Sequence, residues 1–289
     1  YMPGKNEVVW VENRLNAPLE VKKAFQFLHS DDPRTKRDGE GYIPSDQLYV
    51  LSPDSQKINF KKARRFTRSE MMVMEMLSTN EWQRPMYFAV TIGNDYHLGL
   101  DPYLELTGLA YRITPERSAD GRPRVNTEVM YDNMLHKFKY GNMNVPGIYI
   151  DENTMRMCRT HRMMFMELAE ALYNEGKHDK CLEVLDFAEE MLPGYNIPYD
   201  YTSATMASYY YELGEMEKGD AIMTKVADNC AEYMEWGASL LKEQRASAQS
   251  TLQHQMAVLG YVLQNLERYQ QKELFNYYYD IYAQYAAMR

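Results

Sequence analysis

Long apolar runs are missing from this chain. The longest, AVLGYVL at 257–263, falls well short of the ~20 mostly apolar residues that a helix needs to cross a bilayer. Cysteine is scarce: Cys158, Cys181 and Cys230 are three widely separated residues, which make neither a disulfide framework nor a zinc-ligand pattern and do not assign a compartment. Positive charge is also short. Against 41 acidic residues stand 32 basic ones, a net charge of −9, and a surface of that sign is a poor match for nucleic-acid phosphates. The one basic cluster, KKARRFTR at 61–68, is either a solvated approach to a helix or a patch for phosphate or lipid headgroups. Phosphate loops, dinucleotide fingerprints, nucleophile elbows and zinc-protease helices are all lacking, so no cofactor and no metal is expected. No secretory leader is visible. The chain starts at Tyr1 and not at a methionine, which reads as a piece of a longer protein, so the missing leader says nothing about where that protein resides.

What is present is core-forming material. Apolar residues make up 45% of 289 positions. At ~150 residues per domain that allows one large domain or two ordinary ones. The patterning favours two, with an α+β fold class overall: a small mixed α/β domain at 1–150 and an all-α helical-repeat domain at 151–289. In the first, EVVWV (7–11), DQLYVLS (46–52), MYFAVTI (86–92) and LELTGLAYRIT (104–114) are strand-like. PLEVKKAFQFLH (18–29) has helical spacing, with Pro18 suited to a first turn. DDPRTKRDGEG (31–41) is a loop by its turn residues. In FTRSEMMVMEMLSTNEW, Thr67 and Glu70 have the spacing of a capping box; Met72, Met76 and Val73 are expected on the inward face, and the helix should stop at 78–80.

EWQRPMYFAV (81–90) is the densest cluster of unusual residues. Pro85 restricts Arg84 to extended backbone and donates no hydrogen bond, so it belongs at the head of a strand. Trp82 is then expected over the helix–strand joint, and Arg84 is free for a carboxylate, for helix-end carbonyls or for a ligand. NDYHLGLD adds Asp95, His97 and Asp101. An Asp95–His97 pair is the one candidate for acid–base work, since histidine titrates near neutral pH, but Gly93, Gly99 and Pro102 also mark this segment as an ordinary turn.

Beyond residue 150 strand signals vanish. Met157, His161, Met164, Phe165, Leu168 and Leu172 form one stripe, and Cys181, Leu182, Leu185, Ala188 and Leu192 a second, ended by Pro193–Gly194. The pattern then repeats: Ala169, Gly176, Cys181, Leu185 and Ala188 are followed 38 residues later by Ala207, Gly214, Gly219, Met223 and Val226. Small residues early in each helix permit close helix approach, and the glycines permit a left-handed turn. The layout resembles the tetratricopeptide repeat, whose period is 34; the four extra residues fall in GYNIPYD. Further helices are expected at 239–266 and 270–287. Tyrosine is abundant, with 25 residues, and SYYYEL (208–213) places Tyr209 and Tyr210 where a repeat's first helix would expose them to a partner or a sugar. Packing between helices is the competing role.

Four blocks together, NEWQRPMYFAVT, GLDPYLELTGLAYRITP, NTEVMYDNMLHKFKYGNM and LAEALYNEGKHDKCLEVLDFAEEMLP with NIPYD, resemble the C-terminal part of a family of large multi-pass membrane proteins of Bacteroidetes. That family is similar to the transmembrane protein O-mannosyltransferases of animals. The resemblance spans roughly 45–235. It implies a parent that is a membrane-embedded glycosyltransferase using a lipid-linked donor, with its catalytic acid in an N-terminal half that is not part of this sequence; no catalytic residue is carried over. It implies that this chain is a non-catalytic domain on the periplasmic side of the inner membrane. Its partners would be its own transmembrane region and an acceptor polypeptide, with Trp82, Arg84, Asp95, His97, Tyr209 and Tyr210 as candidate contacts. A tetratricopeptide-type adaptor without any link to sugar transfer is the alternative, and a hydrolase built on Asp95 and His97 a third possibility.

Overall fold

The computed structural model describes residues 8–286. The fold is α+β: small sheets with two helices come first, and helical hairpins follow. The chain divides into two compact units, Tyr1–Asn126 and Thr127–Arg289. Residues 127–150, grouped by pattern with the first region, thus belong to the second unit.

In the first unit, β1 (Val8–Trp10) pairs antiparallel with β7 (Arg65–Thr67). A three-stranded sheet joins β2 (Leu19–Glu20), β5 (Leu48–Leu51) and β6 (Lys57–Asn59) in that order, with β2 parallel to β5. Leu19–Glu20 is therefore strand and not first helical turn: α1 begins at Val21 and runs to His29. Pairing with β5 outweighs the local helical spacing, and Pro18 precedes a strand. The loop around 31–41 carries a 3₁₀ turn, Pro33–Thr35, capped by Asp32, and a minimal hairpin of β3 (Lys36–Arg37) and β4 (Glu40–Gly41).

Helix α2 (Arg68–Asn80) opens on the expected capping box: Glu70 N–H donates to Thr67 Oγ1 at 3.3 Å, and Thr67 N–H to Glu70 Oε2 at 2.8 Å. The buried face is Met71, Met74 and Leu77, whereas Met72 and Met76 are exposed. That corrects the expected stripe by one position. Phe66 is fully buried immediately before the cap, so Phe66 and Met71 occupy the two positions of a hydrophobic staple, which sets the phase of the helix from its entry. Replacing Thr67 with alanine is expected to cost about 1 kcal/mol, read as a lower urea midpoint; an unchanged midpoint would mean the box adds nothing beyond packing.

After α2 comes a four-stranded sheet ordered β11-β9-β10-β8, from β8 (Tyr87–Ala89), β9 (Leu104–Leu106), β10 (Ala110–Ile113) and β11 (Arg124–Val125). The single strand expected over 104–114 is in fact a hairpin. Gly108 at φ 135° turns it, and both the N–H and the hydroxyl of Thr107 donate to Ala110 O at 3.1 Å. Phe88, Leu98, Leu100, Leu104 and Ile113 from this sheet and its loops share a core with Val50, Phe66 and Met74.

The second unit opens with α3 (Thr127–Tyr131), which widens into a π turn over Asp132–Lys137. Thr127 O–H donates to Glu175, Lys177 and Lys180 pair with Glu128, and Tyr131 O–H donates to Glu183. Then come α4 (Glu152–Asn174), α5 (His178–Met191), α6 (Tyr201–Glu212), α7 (Met216–Ser239), α8 (Lys242–Arg268) and α9 (Lys272–Ala286). Helices α4–α5 and α6–α7 are hairpins that turn at Gly176 (φ 72°) and Gly214 (φ 85°). Ala169, Cys181 and Ala207 are fully buried, and Cys181 S–H lies 3.3 Å from Ala169 O, an approach only small side chains permit. The α4 stripe departs from expectation at one end: Met157 is exposed, while Cys158 and Arg162 are buried.

Candidate functional site

The joint after α2 is built from its backbone outward. Glu81 (φ 46°) and Trp82 (φ 62°) are consecutive left-handed residues without being glycine, a conformation that costs energy and needs support. Asn80 supplies some: its side-chain amide donates to Arg84 O at 2.7 Å and accepts from Arg84 N–H at 3.2 Å. Trp82 supplies the rest. Its indole N–H donates to Leu51 O at 2.7 Å, and its ring packs at the edge of the core. Lys22 pairs with Glu81 across the same joint. The Trp82 ring therefore caps a cleft of about 270 Å³ that Leu51, Ser52 and Leu77 also line. Arg84 is exposed, and its guanidinium has no partner among the described residues.

Asp95 and His97 do not form the expected pair. Both lie in a 3₁₀ turn, Asn94–His97; Asp95 is exposed, and its carbonyl accepts from Lys61. His97 is 1% exposed and its Nδ1 is 2.8 Å from Asp101 Oδ1. Nε2 has no partner, and the ring lies between Phe88 (5.3 Å) and Tyr111 (5.5 Å). A side chain so enclosed cannot reach a substrate. The i,i+4 spacing of His97 and Asp101 was the sequence signal for this pair.

The two tyrosines also separate. Tyr210 is 1% exposed, and its hydroxyl donates to Asp186 at 2.9 Å, so the expected exposure is wrong for it. Successive residues point about 100° apart around a helix, and only one of the pair can face outward. That one is Tyr209, half-buried, its ring 5.5 Å from Tyr173. A polar row extends from there along the first helices of the hairpins. Tyr173 O–H donates to Glu212 Oε2 at 3.3 Å, and Glu212 Oε1 accepts from Arg268 and from Tyr269, each at 2.7 Å. The rings of Tyr201 and Tyr261 meet at a tilt, with centroids 4.7 Å apart.

Two carboxylates on α4 complete the row. Glu167 and Glu170 form no ion pair among the described residues. Burial pushes the Glu167 carboxyl above its ordinary value, and the Glu170 charge adds to the shift. The Tyr209 hydroxyl is likewise raised by burial and then by Glu170. An added cation would relieve this face.

Sequence pattern missed Arg162 altogether. It is 1% exposed, and its guanidinium donates to Leu192 O (2.9 Å), Ile197 O (2.8 Å) and Pro198 O (2.9 Å), with Tyr199 against its plane. Its partners lie 30–36 residues later in the chain, so no local pattern exposes the role.

These features can be set beside known proteins. Residues 51–130 match the family described as TMEM260-associated domain 2. That stretch contains the α2 joint, Trp82, Arg84, Asp95 and His97, and ends within α3; Tyr209, Tyr210 and the hairpins lie outside it. The match is to a domain associated with a transmembrane protein family and fits a domain of a membrane protein. No curated protein and no solved structure matches the chain. No helix among the described residues is long and apolar enough to cross a membrane.

Proposed function

We propose that this chain is the extracytoplasmic, non-catalytic part of a membrane-embedded, glycosyltransferase-like protein, on the periplasmic side of its membrane, and that it binds the acceptor polypeptide. The observation that carries the acceptor role is the first-helix row: Tyr173 and Tyr209, both half-buried, beside Glu167 and Glu170, two carboxylates with no ion pair among the described residues. Repeat hairpins present continuous side-chain surfaces to peptides, and tyrosine offers rigid area with a polar tip. The match of 51–130 to a domain associated with transmembrane proteins supports the membrane link. The glycosyltransferase part rests on the sequence resemblance.

The row selects for lysine or arginine in the acceptor. Replacing Glu170 with lysine is expected to weaken binding of a Lys-Ser repeat peptide about fivefold in calorimetric titration, the worth of ~1 kcal/mol for a partly exposed charge pair. Undiminished affinity would remove the row from acceptor binding. In the parent protein, deletion of this chain should lower sugar transfer to polypeptide acceptors while the isolated chain transfers none. Undiminished transfer after deletion, together with one tightly retained protein partner, would favour an adaptor instead.

A further inference from the structure

The second helices of the two hairpins carry a separate feature. Between α5 and α7 lies a groove of about 760 Å³, walled on one side by Pro193–Tyr199. This linker lies between the two hairpins, where the sequence pattern places the residues beyond a 34-residue period. It is firmly held. Arg162 binds two of its carbonyls, of Ile197 and Pro198, and that of Leu192 just before it. The Asn196 side-chain amide donates to Met143 O and Val145 O at 2.8 and 2.7 Å, and Tyr195 O–H donates to Asn144 O at 2.6 Å. A wall fixed at that many points is organised before any ligand arrives, which lowers the entropy cost of binding.

The lining holds two acidic and two basic residues, Asp186, Glu189, Lys218 and Lys225, and of these only Lys225 has no partner among the described residues. Lys218 donates to both oxygens of Asp186 at 2.8 and 2.9 Å, and Tyr210 also donates to Asp186. Glu189 accepts from Tyr199 O–H, its other oxygen is buried without a hydrogen-bond partner among the described residues, and burial raises its carboxyl above its ordinary value. Lys225 remains, exposed on α7 and in no ion pair among the described residues. Lys218, Ile222, Lys225 and Asn229 lie on one helical face toward the groove. The same groove is lined by Tyr195 and Pro198, both exposed, with the buried Pro193 and Ile222 beneath. In a chain of net charge −9, Lys225 is an exposed positive side chain without an ion pair among the described residues, at the edge of this groove.

We propose that the α5–α7 groove binds a polypeptide segment in which an acidic side chain, placed on Lys225, is flanked by apolar or proline residues packed on Tyr195 and Pro198. Charge complementarity and proline–tyrosine walls select this occupant. The site is distinct from the first-helix row, which has the opposite charge.

The test uses the whole chain, isotope-labelled, and follows backbone amide shifts on titration with acetyl-Pro-Phe-Asp-Pro-amide. Saturable shifts are expected at Tyr195, Ile222 and Lys225. The same peptide with asparagine for aspartate should bind about fivefold more weakly, ~1 kcal/mol at a partly exposed pair. Lys225→Gln, at an exposed position that leaves the fold intact, should bring the aspartate peptide down to the asparagine level and leave the Lys-Ser peptide unaffected. Equal affinity of the two peptides, shifts elsewhere, or no saturation would overturn the proposal. Phenylbutyrate binding as tightly as the peptide would overturn it too, since the groove would then be a site for small carboxylates.

Discussion

Arg162→Met is expected to lower the stability of the helical unit by about 3–5 kcal/mol, the cost of breaking a buried charged network on one side. Three carbonyls, of Leu192, Ile197 and Pro198, lose charge-assisted donors at 2.8–2.9 Å, and each buried acceptor left unmet costs about 1–3 kcal/mol. Methionine fills much of the stem volume, so loss of packing is a minor part of the change. Burial lowers the guanidinium's proton affinity below its ordinary value, while Asp200 and Glu189 oppose that shift; arginine remains charged at neutral pH all the same. Arg162→Lys should recover less than half of the loss, because a single ammonium cannot reproduce the planar fork that reaches three carbonyls. Urea unfolding followed at the helical circular-dichroism band measures both. A loss under ~1 kcal/mol for the methionine variant would show that the linker holds itself, and would also weaken the case for a prebuilt α5–α7 groove.

Gly219→Val is expected to destabilise the same unit by about 1–3 kcal/mol, the range for overpacking a filled core. A Cβ at 219 would sit 2.5 Å from Tyr211 Cε1 and 2.6 Å from Cδ1. The ring cannot swing away freely: its hydroxyl donates to Asp220 at 2.7 Å, and it packs at a tilt against Tyr269, centroids 4.6 Å apart. Helix propensity works the other way, since glycine inside a helix is about 0.5–1 kcal/mol worse than alanine. The clash wins because it lies against a ring pinned at two points. Tyr211→Leu in the same chain should restore part of the loss, so that the double variant is more stable than the sum of the singles. A valine variant as stable as the parent would show that the hairpin tolerates a wider helix spacing than its small residues imply.

The contrast between these two sites shows what could be read without coordinates. Gly219 was legible because its significance is local and periodic: it repeats Cys181 after 38 residues, and small residues at the crossing of a hairpin have one physical purpose. Thr67 with Glu70 was legible for the same reason, since a capping box joins residues three apart. Arg162 was not, because its acceptors come from a linker beyond the next helix. The inward face of α2 shows the limit most plainly. A run of methionines and valine satisfies helical spacing in more than one phase, and Met72 with Met76 fits as well as Met71 with Met74. Only the buried entry at Phe66 chooses between them. Leu19–Glu20 likewise had helical spacing but found a strand partner in β5.

The sequence by itself determined the α+β class, the hairpins with their glycine turns and the capped α2 helix. Each follows from interactions within a few residues or from composition. Tertiary structure alone decided which side chains meet: His97 with Asp101 and not Asp95, Tyr210 inward and Tyr209 outward, Arg162 beneath the linker, and Lys225 left unpaired over a groove. Periodicity sets the spacing of contacts along the chain, but the phase of each element, and every long-range partner, is chosen by what packs against it.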